Sequence, residues 1–211
     1  MNASSVGPLL DGLASLLAAA ADSHDRQPYL SEAHGRVAAL RGAQPIVGER
    51  PAVVDLHLAS ALEMTDGSAP SFLEHVAAIA PDLHWVRSYP DLVPGDDVMD
   101  RFVANYAYTV LAGPAADRWP RSPVTTDDVV VGLTLQAPAI FYPAHSHPAV
   151  ELYGVIGGAG SWQRTDDWVP RRPGSAFVHL SNEAHAMETH ELPMLSWFVW
   201  LNDFDVAPVL V

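Results

Sequence analysis

The spacing of hydrophobic residues changes character once along this chain, near position 85, and that change governs what it can fold into. Before it, Leu9, Leu10, Leu13, Leu16 and Leu17 recur at the interval of a helix face, and Tyr29 to Leu40 continues the style behind Pro28, a residue suited to a first helical turn. Asp55 to Met64 reads as a third helix and Phe72 to Ile79 as a fourth, introduced by Pro70 and Ser71 and stopped by Pro81. After it, Pro and Gly punctuate short stretches, and the second half reads as all-β. Val129–Leu135, Val150–Ile156, Ala176–Leu180 and Leu195–Leu201 are predicted strands, separated by Gly157-Gly158, Pro170, Pro173-Gly174 and Pro193. The expected fold is mainly β: a jelly roll or small barrel over residues 85–211, with residues 1–84 as a helical extension packed on it, in one structural domain.

Composition narrows the function. The 25 acidic residues against 11 arginines leave a formal charge of −14, which would repel a phosphate backbone, so no nucleic-acid partner is expected. No apolar run is long enough to span a bilayer, so no membrane partner is expected either. Cysteine is absent, which removes disulfides, thiolate metal sites and cysteine nucleophiles. Every basic residue is Arg, so lysine imine chemistry is also excluded. Met1 to Ala21 carries no early positive charge and Asp11 interrupts it, so it does not read as a signal peptide, and a cytoplasmic location is expected.

Five of the ten histidines lie between positions 145 and 190, and the tightest group runs Tyr142, Pro143, Ala144, His145, Ser146, His147, Pro148, Ala149, Val150, Glu151, Leu152, Tyr153. In extended chain, residues an even number apart share a face, so His145 points with His147 and Glu151 with Tyr153, and a turn at Pro148-Ala149 would bring the two pairs together. Imidazole nitrogens and a carboxylate oxygen converging on one point suit one divalent transition metal, Zn, Fe, Mn, Co or Ni, and the sequence does not choose among these. His24, His34, His57, His75, His84 and His190 read instead as ordinary hydrogen-bonded histidines.

The spacing H-x-H-x-x-x-E with Gly158 seven positions on resembles the first motif of the cupin superfamily, where those residues bind metal. His185 lies eleven residues after Gly174, the interval of the second cupin motif, and the resemblance makes it the fourth ligand. Four positions depart from the pattern: Ala139 and Asn182 stand at its glycines, Leu180 at its proline and Thr189 at its asparagine. His179 is a candidate partner of the ligands or cavity residue, and His145 is either a direct ligand or one shell behind.

With Tyr142 and Tyr153 included, the string Y-x-x-H-x-H-x-x-x-E-x-Y, Gly158, His185 and the aromatic strand Trp197 to Trp200 resemble the bacterial cupin lyases of dimethylsulfoniopropionate (DMSP), over about residues 85–205. The resemblance implies a carbon–sulfur lyase releasing dimethyl sulfide and acrylate from a small zwitterionic substrate, with Tyr153 as the base and Tyr142 as its partner or a substrate donor. The chemistry is consistent: a phenol of free pKa about 10 is more readily ionised beside a dication, and a β-elimination needs a base and a Lewis acid. A sulfonium cation is stabilised by aromatic faces, which makes Tyr106, Tyr108, Trp197 and Trp200 the substrate-binding candidates, with His179. Competing readings are another cupin reaction on a small carboxylate, dioxygenase or isomerase, and a non-catalytic ligand-binding cupin. The helical extension could act as a substrate lid or dimer arm, which would make the chain a homodimer.

Overall fold

Four helices stand where helical spacing places them in the computed structural model: α1 (Val6–Ala21), α2 (Gln27–Ala38), α3 (Ala52–Glu63) and α4 (Pro70–Ile79). The structure describes residues 6–21, 26–44, 46, 48, 50–67, 69–89, 93–164 and 166–211; the first five residues of the N-terminal stretch, and His24, lie outside them. α1 buries Leu9, Leu10, Leu13 and Leu17 on one face, α2 answers with Leu30, Ala33 and Val37, and α4 packs on α1 from another side. Both α2 and α4 carry Pro in the first turn, where its missing N–H costs nothing.

The remaining chain forms two sheets. One has the order β2 (Val124–Thr125), β1 (Tyr106–Gly113), β3 (Val130–Gln136), β10 (Met194–Leu201), β5 (Val150–Gly158), β8 (Ala176–His179). The other has the order β11 (Val209–Leu210), β4 (Phe141–Ser146), β9 (His185–Glu188), β6 (Gly160–Arg164), β7 (Asp167–Arg171). Apart from the short parallel pair β1–β2, neighbouring strands are antiparallel. This is a jelly-roll β-fold with helices at its N-terminus. Every residue of β3, β5 and β10 is buried, and α3 packs across these three strands. Burial on both faces is why they read in sequence as continuous apolar runs rather than as alternation. Gly158 closes β5 with φ +77, and a Cβ there would lie 1.7 Å from the Pro193 carbonyl oxygen, so the β5–β6 turn and the β10 entry can meet only over glycine.

One expectation needs correction. The stretch that follows the change near residue 85 is not β throughout, because α5 (Asp97–Ala104) precedes β1. Asp96 caps it, its side chain accepting from the backbone N–H of Val98 and Met99 at 2.9 and 3.0 Å, and the helix buries Met99 and Phe102. Its three acids, Asp96, Asp97 and Asp100, cap and line the first turn, the end of a helix that favours negative charge.

Candidate metal centre and adjoining cavity

β4 belongs to one sheet and β5 to the other, and the chain crosses between them at His147, Pro148 and Ala149. The crossing puts His145 and His147 on one wall of the roll and Glu151 on the other. β9 lies beside β4, with His185 directly opposite His145 in register. One ligand atom from each of His145, His147, Glu151 and His185 lies within 4.8 Å of all the others, and all four residues are buried.

Two features of this cluster fit a cation. Each histidine directs Nδ1 at a backbone carbonyl: His145 at Pro143, 2.9 Å, His147 at Ala149, 3.0 Å, and His185 at Glu183, 2.9 Å. A carbonyl only accepts, so Nδ1 carries the proton and, in the neutral ring, Nε2 presents a lone pair. The Nε2 atoms of His147 and His185 lie 3.0 and 3.2 Å from Glu151 Oε2. Lone pairs meeting a carboxylate repel unless positive charge stands among them. Three nitrogens and one oxygen form a donor set for a first-row transition ion, and this buried group could hold a metal ion.

Each imidazole is also wedged by a second ring. Tyr142 stacks on His145 with centroids 3.9 Å apart, Trp200 on His147 at 4.1 Å, and His179 on His185 at 4.0 Å. Trp200 further donates its indole N–H to Glu151 Oε1, so one side chain orients two of the four ligands. Behind Tyr142 lies Phe102 of α5, stacked at 3.9 Å, and the Tyr142 hydroxyl meets the Tyr89 hydroxyl at 2.8 Å.

The electrostatics follow from burial. Burial alone would raise the Glu151 carboxyl, but His147 and then His185 hold it well below the usual range, so it is a carboxylate. Burial, with His185 beside it, pushes His145 well below the usual histidine value, which keeps it neutral and able to ligate. Tyr153 is pushed well above its ordinary value by burial and by the Glu151 carboxylate, and Tyr142 likewise by burial and by Tyr89. Both are phenols until positive charge is added nearby.

A cavity of about 730 Å³ opens onto His145 and Glu151. Tyr106, Tyr108, Tyr142, Tyr153 and Trp200 all line it, and the Tyr106 hydroxyl is within hydrogen-bonding reach of Tyr153 and Thr134. Two candidates lie elsewhere. Trp197 faces the other side of its sheet, because β10 alternates: Trp200 pairs with Glu151 and Phe198 with Tyr153, while Trp197 lies over Gly154, where a Cβ would come within 2.1 Å of its ring. Trp197 and Trp200, three apart in a strand, cannot share a face without a bulge between them. His179 lines a smaller pocket with Trp162 and Phe177 and serves as the ring behind His185. Phe198 of the aromatic strand also lines the cavity, whereas sequence reasoning missed Tyr89, Thr134, Arg118 and Trp119 on its wall. Tyr89, Arg118 and Trp119 sit outside the strands and carry no periodic signal.

The jelly roll and its buried three-histidine, one-glutamate cluster define a cupin with a candidate metal centre. The family model for dimethylsulfoniopropionate lyase matches residues 36–196, and the chain belongs to that family. It is similar to the dimethylsulfoniopropionate lyase DddQ of Ruegeria pomeroyi, 31% identical over 128 residues, 60% of this chain and 58% of that protein, so the match spans less than two thirds of that relative's length. The crystal structure of DMSP lyase DddQ from Ruegeria pomeroyi DSS-3 superposes with a TM-score of 0.67 at 25% identity, over 95% of this chain and 96% of that one. A chain from the crystal structures of the DMSP lyases RdDddP and RnDddQII gives a TM-score of 0.73 at 23% identity, over 99% and 98%, a likeness of fold.

Proposed function

We propose that this chain is a metal-dependent carbon–sulfur lyase that cleaves DMSP by β-elimination to dimethyl sulfide and acrylate. The observation that carries the reading is the meeting in one cavity wall of Glu151, a member of the buried three-histidine, one-glutamate cluster, and the buried phenol of Tyr153, two residues apart on β5. His145, His147, Glu151 and His185 are the proposed ligands of one divalent transition metal, which when bound would supply positive charge beside the substrate carboxylate.

In this reading Tyr153 acts as the phenolate, the form that positive charge at the four-residue cluster would favour, and takes up the proton on the carbon next to the carboxylate to become the phenol. The electron pair becomes the new carbon–carbon double bond, the carbon–sulfur bond breaks, and the sulfonium sulfur leaves as neutral dimethyl sulfide with that bond's electrons. Tyr106 orients the Tyr153 hydroxyl. Tyr142, anchored by Tyr89 and Phe102, offers a hydrogen bond to substrate oxygen. The faces of Tyr108 and Trp200 stabilise the onium end, each by about 0.5–2 kcal/mol. Residues 1–84 are taken as an extension packed on the 85–211 roll within one domain, supported by the packing of α3 on the first sheet. Among the described residues no helix is long and apolar enough to cross a membrane. The cytoplasmic location expected from the sequence is kept as part of the proposal.

The test is headspace gas chromatography of dimethyl sulfide from purified protein incubated with DMSP and Mn, Fe, Co, Ni or Zn, each beside a chelator-treated control. Release that depends on metal is expected; silence with all five would move the reading to another small carboxylate or to a binding cupin.

A further inference from the structure

The proposed ligands are held from behind by a short turn, and that turn is held from outside by the N-terminal helices. Residues 180–184 join β8 to β9. Within them the Glu183 carbonyl accepts from His185 Nδ1 at 2.9 Å, and the Asn182 N–H donates to the His147 carbonyl at 2.8 Å. One turn therefore touches two of the four ligands. Its conformation depends on the Glu183 side chain, whose Oε2 accepts from the Leu180 N–H at 2.8 Å.

The same carboxylate is gripped by Arg26, the residue that precedes α2. Arg26 Nη1 donates to Glu183 Oε2 at 2.8 Å and Nη2 to Oε1 at 3.2 Å, while Nη1 also reaches the Val178 carbonyl of β8 at 2.6 Å. The two side chains are only 18% and 19% exposed, so this forked pair is largely shielded from water, unlike a surface ion pair. Arg164 stands farther off, 3.7 Å from Glu183, and is more exposed. α2 has a second anchor on the roll, Arg36 donating to the Asp128 carbonyl and to Asn202 Oδ1, which touches no ligand.

We propose that Arg26 is a positioning residue for the metal centre: the α1–α2 pair clasps the 180–184 turn through Glu183 and thereby sets His185 and His147. The proposal rests on the reading of the four residues as a metal site. Linkage makes it reciprocal, because whatever factor docking adds to metal affinity, metal adds to docking of α1–α2.

The experiment uses the full-length chain, stripped by chelator and titrated with zinc against a chromogenic competitor, with hydrogen exchange followed in α1–α2. Arg26→Gln and Glu183→Gln are expected to weaken zinc about tenfold, as loss of outer-shell support does, and Arg26→Lys by less. Arg36→Gln, which loosens the other anchor, should stay within about twofold of wild type. Zinc should slow exchange in α1–α2 of wild type and not of Arg26→Gln. Should Arg26→Gln fail to fold, Glu183→Gln keeps the test, since it leaves the backbone bond to His185 in place. Equal zinc affinities in wild type, Arg26→Gln and Glu183→Gln, or a loss in Arg36→Gln as large as theirs, would overturn the clasp alone. A wild type that binds no zinc would overturn the metal reading and the clasp with it.

Discussion

At the scale of residues, the proposal separates the groups that would hold a metal from the one that would do the chemistry. His147→Ala and Glu151→Ala each remove a proposed ligand and are expected to lower metal content and turnover together, read by elemental analysis beside steady-state rates. Tyr153→Phe removes one hydroxyl that is not a ligand; metal content should stay at the wild-type level while turnover falls by about 10²–10⁴-fold. A Tyr153→Phe protein with full activity would end its role as base. The buried histidines also tie the metal-free protein to pH. His145 and His179 are both held well below the ordinary histidine value of 6.5, chiefly by burial and next by His185. The unfolded chain thus binds more protons than the folded one below that value. Their contribution to stability is whole above about pH 6.5 and is lost as pH falls, at up to about 1.4 kcal/mol per unit for each group. Urea midpoints of the metal-free chain between pH 7.5 and 5 check the sign.

At the scale of elements, the departures from the cupin motifs find a physical explanation. Ala139 and Asn182 occupy motif glycine positions, and both take positive φ, 56° and 57°, so the backbone keeps the left-handed shape while the residue changes. Asn tolerates that region, and alanine occupies it only at a cost of about 1–2 kcal/mol. Ala139→Gly is therefore expected to stabilise the fold by about 1 kcal/mol, measured as a rise in thermal midpoint without change in metal affinity. α5 is the helix that sequence reasoning lost, and it carries Phe102, fully buried behind Tyr142. Phe102→Ala should cost about 3–5 kcal/mol and loosen Tyr142, lowering turnover more than metal binding.

At the scale of the molecule, a metal bound at the four-residue cluster would be linked to folding. Free zinc at 100 times its dissociation constant should stabilise the chain by about 2.7 kcal/mol, visible as a metal-dependent thermal midpoint that Glu151→Ala abolishes. The four long helices and the strands β3, β5, β8 and β10 were legible in the sequence because period and Pro/Gly punctuation are local properties of a chain. So was the grouping of His145, His147 and Glu151, since two-residue parity and one turn bring near neighbours together. Tertiary structure alone decided the rest. The sequence separates His185 from Glu151 by 34 positions, and only pairing of β9 with β4 sets its ring beside the carboxylate. Arg26 meets Glu183 across 157 positions, Trp200 stacks on His147, and Tyr89 and Phe102 hold Tyr142 against His145, each from a different segment. Local periodicity carries no information about which strand edge meets which. That choice is made by the burial of both sheets against each other and against the helices, which is a property of the whole chain.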